Sequence, residues 1–325
     1  MIRRLVAMVV AASALLALAA CEIPLPAPSV TPSVEQPGAL LEPQSTEIIR
    51  DTLSRIASAD AASDPKLLAP RVGGDAADVR AAEYAVAKAG GDKPDALPPT
   101  MLAVYGPTGS EWPRTLVAIA TAADDTLTPV VLWWVQDDPR SPYELREWAH
   151  MLPGAIIPAM PSQTIGDEQL SLDAEGFSMT PREAIERYAD LLTEGEPEEA
   201  TFAPDTYRER MFAARKALAA AAKGRNGTYQ DTIDARVDEA VVLLTAEGSA
   251  LVLLPVTVTS AFTVPGAQLS LPAADKALLA GTLSDRVVHH YRDFVVLSVP
   301  KDASLLPSVV AADHHLVDVT LKVAS

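Results

Sequence analysis

The chain of 325 residues carries 26 Lys and Arg against 43 Asp and Glu, a formal charge of −17, with 49% apolar residues and one cysteine. That acidity argues against a nucleic-acid partner, whose phosphates need clustered Lys and Arg, and the lone cysteine excludes an internal disulfide or a Cys-based zinc site. The length suits two ordinary domains, each with enough apolar side chains for a core.

Residues 1–20 read as a secretory signal peptide. Arg3 and Arg4 precede an apolar stretch from Leu5 to Leu18 that is too short to cross a bilayer comfortably. It ends Leu18-Ala19-Ala20-Cys21, which resembles the bacterial lipobox, Leu-(Ala/Ser)-(Gly/Ala)-Cys. Small side chains at Ala19 and Ala20 let a signal peptidase approach the backbone, and the Cys21 thiol is the atom that takes a diacylglycerol as a thioether. Cleavage then leaves Cys21 first. The resemblance implies a lipid-anchored chain on the extracytoplasmic face of the cell membrane. Two acyl chains, at about 0.8 kcal/mol per buried methylene, anchor stably where one is marginal. A plain secretory signal with an accidental cysteine, or an uncleaved anchor, is the competing reading. Loss of Arg3 and Arg4 makes the mature chain more acidic still, so lipid rather than a basic patch must hold it to anionic head groups.

Residues 21–44 form a tether. Pro24, Pro26, Pro28, Pro32, Pro37 and Pro43 favour extended chain, a spacer of roughly 30–70 Å. A first α+β domain is expected over 45–160. It opens with a helical run at 45–58 (Ile49, Leu53 and Ile56 on one face), then Leu68-Ala69-Pro70, then a second helix over 79–88 stopped at Gly90-Gly91. Strand-like runs follow at 101–105, 115–121 and 130–136, up to a corner at Leu152-Pro153-Gly154-Ala155. Residues 141–152 read both as a capped helix and as a strand, and a repeat frame favours the strand. A polar linker, 161–179, is expected to pack lightly and to be cut by proteases at Gly166, Asp167 or Glu168.

The second domain, 180–325, repeats the order. Thr180-Pro181-Arg182-Glu183 is a capping box with proline at the first helical position. Phe202-Ala203-Pro204 matches Leu68-Ala69-Pro70, and a helix runs from Asp205 to Lys223. Strand-like runs at 239–245 and 250–262 lead to a corner at Val264-Pro265-Gly266-Ala267. Val295, Leu297 and Val299 share one strand face, and residues 314–323 alternate. Helices followed by a meandering antiparallel sheet resemble the NTF2-like and cystatin-like α+β folds. The whole chain is similar to uncharacterised lipoproteins of high-GC Gram-positive bacteria that carry two such units in tandem. No activity comes with that resemblance.

Chemistry is sparse. There is no G-x-S-x-G elbow, phosphate loop or H-E-x-x-H. Of the histidines, His289-His290 and His314-His315 are adjacent pairs near Asp293, Asp313 and Asp318, with His150 apart. Neighbours on a strand face opposite ways, so each pair offers one imidazole to a common site, and no metal or cofactor is expected. Trp133 and Trp134 should likewise face opposite sides, with Trp112 and Trp148 completing a set that suits a core or an apolar pocket. The expectation is a non-catalytic envelope lipoprotein that contacts other proteins or the cell wall. The alternative is a small apolar molecule or lipid held inside a curved sheet.

Overall fold

A computed structural model of the chain describes residues 38–321, apart from residues 110, 123–127, 164, 196 and 198. The described residues cluster as one unit. Helix α1 (Glu42–Ala62) starts ahead of Ser45, because Pro43 fits the first turn and the Gln44 side chain accepts the Leu41 N–H at 2.9 Å. Ala39 N–H donates to Pro107 at 2.7 Å. Residues 38–44 therefore belong to the folded body rather than to the expected tether, the rest of which lies outside the described residues.

Helix α2 (Gly74–Lys88) ends where Gly90, at φ 89°, leaves the helix. Four antiparallel strands follow in chain order, β1 (Met101–Tyr105), β2 (Arg114–Ala120), β3 (Val130–Gln136) and β4 (Glu144–His150). The ambiguous 141–152 stretch is thus a strand, and a bulge explains its helical look. The β3–β4 register slips between Trp133 and Trp134, so Leu145 and Trp148, three apart, both face the helices.

The short β5 (Gln169–Leu170) precedes α3 (Pro181–Glu194), whose Thr180–Glu183 capping box forms with both hydrogen bonds present. Helix α4 (Thr206–Lys223) is capped by Asp205, which accepts the Arg208 N–H at 2.7 Å. Then come β6 (Thr228–Ala235), β7 (Val241–Leu244), β8 (Ala250–Thr263), the short helix α5 (Ala273–Leu278), β9 (Arg286–Val299) and β10 (Ser308–Thr320). The second sheet runs β10-β9-β8-β7-β5, with β6 pairing the far half of β8. The chain is a mixed α+β protein with two antiparallel sheets.

Side-chain alternation sorts these elements into layers. Val130, Leu132 and Trp134 of β3 face α1 and α2, while Val131 and Trp133 face the second sheet. On β9, Val295, Leu297 and Val299 face α3, and Phe294 and Val296 face the first sheet. Each sheet thus carries helices outside and its partner sheet inside, which is why the strands read as near-continuous apolar runs. Trp134, Leu132 and Tyr84, all fully buried, pack between the first sheet and its helices.

Three expectations are corrected. The stretch 161–179 is not lightly packed: Gly166 and Asp167 are buried, Asp167 N–H donates to Gly106 at 2.7 Å, and Gln169 pairs with Leu243. Gly166 sits at φ 82°, and a Cβ there would meet Thr108. The Pro-Gly corners do not correspond, because Pro153 follows the fourth strand of its sheet and Pro265 follows β8, an interior strand. Strand β6 went unseen because its alternation, Thr228 to Ala235, is polar and half-exposed.

Asp167 is 3% exposed, and burial alone pushes its carboxyl from 3.8 to about 7. The folded chain then holds a proton that the unfolded chain releases near 3.8. This stability is full below 3.8, falls as pH rises toward 7, and stays lost above. Asp167→Asn is expected to stabilise the chain at about pH 8 by roughly 1–3 kcal/mol. Urea midpoints at about pH 5 and about pH 8 check this; an unaltered pH dependence in the variant would refute it.

Candidate functional site

The anchor residues expected from the sequence, Leu18, Ala19, Ala20 and Cys21, lie outside the described residues. Among the described residues, no helix is long and apolar enough to cross a membrane, and no group of three or more His, Cys, Asp or Glu side chains is arranged to hold a metal.

Where β4 ends, the chain leaves its own sheet and touches β10. Met151 bridges Ala311, and Leu152 N–H donates to Val310 at 3.0 Å. The long connection before β1 and the start of α4 rise around this corner and leave an open cleft of about 850 Å³. His150, Trp148, Arg80, Asp313 and His315 line it. Asp313 accepts both the His150 backbone N–H at 3.0 Å and, at 2.7 Å, the His150 Nδ1. That bond raises the His150 pKa, whereas burial lowers that of His315, which stands 3.8 Å from Asp313. One imidazole is thereby biased toward the charged form and its neighbour toward the neutral one. Arg80 is almost wholly buried. It donates to Glu83 at 2.9 Å and to the Asp95 carbonyl at 2.8 Å, and lies 5.1 Å from the Trp148 ring centre.

The other histidines go elsewhere, and the adjacent pairs split as strand geometry requires. His289 bonds Asp275 at 2.9 Å and His290 bonds Thr320 at 3.0 Å. His314 bonds the fully buried Asp293 at 2.8 Å, while His315 enters the cleft. The tryptophans do not share a pocket. Trp134 donates to Thr52 at 3.1 Å beneath α1, Trp133 stacks on Phe294 between the sheets, and Trp112 lies under Arg114. Sequence reasoning noted Asp313 as a neighbour of the histidines but had no signal for its partner, since His150 stands 163 residues away.

A model of one protein family, described as a domain of unknown function (DUF8094), matches residues 38–319. The chain belongs to the DUF8094 family. The DUF8094 match spans both sheets and all the described helices, so it takes in the cleft and both layers that form it. No curated protein and no solved structure shows significant similarity to the chain.

Proposed function

We propose that this DUF8094 chain is a non-catalytic lipoprotein, anchored through Cys21 on the extracytoplasmic face of the cell membrane, whose corner cleft meets an envelope protein or the cell wall. The observation that carries this reading is the placement of the chain's one cysteine at the end of Leu18-Ala19-Ala20-Cys21, just ahead of a proline-rich stretch and a folded body that begins by Gly38. The cleft supports the contact role. Its charges already have partners within the fold, Arg80 with Glu83 and His150 with Asp313. Groups fixed in this way present oriented donors and acceptors to a polar partner.

The same reading takes the chain as a tandem duplication. Two helices precede four strands paired in chain order in the first half, β1-β2-β3-β4, and the second half holds a similar path, β6-β8-β9-β10, with β7 added beside β6 on the same edge of β8. Leu68 and Phe202, the residues before the two Ala-Pro steps, are both 1% exposed. Both features support descent from one α+β unit of NTF2-like or cystatin-like order.

The anchor is tested by Cys21→Ser in a host that processes lipoproteins. The native chain is expected in the detergent phase after phase separation, labelled by a fatty-acid precursor. The variant is expected in the aqueous phase without label. A variant that stays in the detergent phase would sink the assignment.

A further inference from the structure

Away from the corner cleft, two smaller cavities open side by side between the sheets. One, of about 410 Å³, is walled by Trp133, Val135, Val241 and Pro255, and the other, of about 230 Å³, by Thr115, Asp167 and Leu243. Both touch Pro113 and Gln169, so together they make one elongated groove.

Its lining is unlike ordinary core. Trp133, Thr115 and Asp167 are 4%, 4% and 3% exposed, yet the indole N–H, the threonine hydroxyl and one Asp167 oxygen bond no group among the described residues. Buried polar groups are normally paired, and here three such atoms lie along one groove. The charge is one-sided. In the larger cavity Asp75, Asp137, Asp238 and Glu239, with the buried Glu147, outnumber Arg146 and Arg236, and Arg292 also reaches Asp75 at 3.2 Å. In the smaller, Glu111 and Glu168 face Arg114, and Asp167, whose burial favours the protonated carboxyl, can donate or accept a hydrogen bond. A cation is favoured there, and the Val and Pro walls suit a hydrocarbon body. The indole N–H is a donor that an oxygen or nitrogen of a guest can accept in place of water.

We propose that this groove binds a small aliphatic amine carrying an uncharged oxygen, with its ammonium among the carboxylates and its oxygen on the Trp133 N–H. Amino alcohols and amino sugars have that chemistry. Asp167 and Thr115 supply the remaining hydrogen bonds, and burial between the sheets places the guest beside residues of both halves.

Calorimetric titration of the full chain in detergent tests this with three matched probes. 5-Amino-1-pentanol has both groups, pentylamine lacks the oxygen, and 1,5-pentanediol lacks the charge. Saturable binding is expected for the amino alcohol, at least about tenfold weaker binding for pentylamine, and none for the diol at about 10 mM. Asp167→Asn is expected to weaken the amino alcohol about tenfold. Trp133→Phe keeps the stacked ring and loses the N–H, so it should erase the preference for the amino alcohol over pentylamine while both still bind. Binding of the diol as tight as that of the amino alcohol would overturn the proposal. So would a preference that survives Trp133→Phe, or the absence of saturable heat with all three probes in a chain shown to be folded.

Discussion

Replacing Arg236 with methionine is expected to lower the stability of the folded chain by about 3–5 kcal/mol, the cost of stranding a buried ionic partner. Arg236 follows β6, and its guanidinium bonds Asp75 at the start of α2, reaching Glu147 of β4 at 3.5 Å and Glu239 at 3.2 Å. The side chains of Asp75 and Glu147 are 8% and 7% exposed. Arg292 of β9 adds a contact to Asp75 at 3.2 Å. Two acids of the first half are thus held by two guanidiniums of the second. Burial raises the Glu147 pKa well above its ordinary 4.5, and the neighbouring Asp75 raises it further. The stability tied to that proton is full below 4.5 and is lost as pH rises through the folded value.

The Arg236→Met loss should therefore shrink in acid, where the Glu147 carboxyl takes a proton. Adding Glu147→Gln should recover part of the loss at neutral pH, because one uncompensated acid is gone. Urea unfolding of the two single variants and the double variant measures this coupling. A loss below about 1 kcal/mol would mean that the cluster behaves as an exposed ion pair.

Phe294→Ala is expected to destabilise by about 3–5 kcal/mol and to do so for the whole chain at once. Phe294 is 1% exposed on β9 and stacks on Trp133 of β3 with ring centres 5.6 Å apart. Around it, Val117 and Val131 of the first sheet meet Leu251, Leu253 and Val296 of the second. Removing the ring opens a cavity that neither sheet can close without moving against the other. Because each sheet buries its inner face only on its partner, unfolding should stay a single transition, displaced to lower urea for near-ultraviolet and far-ultraviolet signals alike. Two separated transitions, with Phe294→Ala moving one of them, would show that the halves carry independent cores.

Local signals were legible where neighbours in sequence decide the outcome. The Thr180 capping box, the glycine stop after α2, and the one-sided face of Val295, Leu297 and Val299 all follow from contacts within a few residues. Periodicity failed where long-range pairing reshaped the chain. A bulge set against β3 gave Leu145 and Trp148 their helical spacing. β6 exists because β8 offers a free edge to a polar segment, not because that segment is apolar. The stretch around Gly166 reads as a linker in composition, yet it is bonded to the strand-to-strand connection at Gly106–Thr108.

The sequence by itself determined the mixed α+β class and the caps and stops of individual helices, since each of these is written in spacings of a few residues. Only the tertiary structure decided that the two sheets lie back to back and that His150 meets Asp313. It alone placed Asp75 and Glu147 on Arg236, and gathered Trp133, Thr115 and Asp167 along one groove. The reason is physical. An apolar strand face demands burial without specifying its partner, because hydrophobic attraction is non-directional. Shape, register and the pairing of buried charges choose between partners, and those exist only once distant segments are in contact.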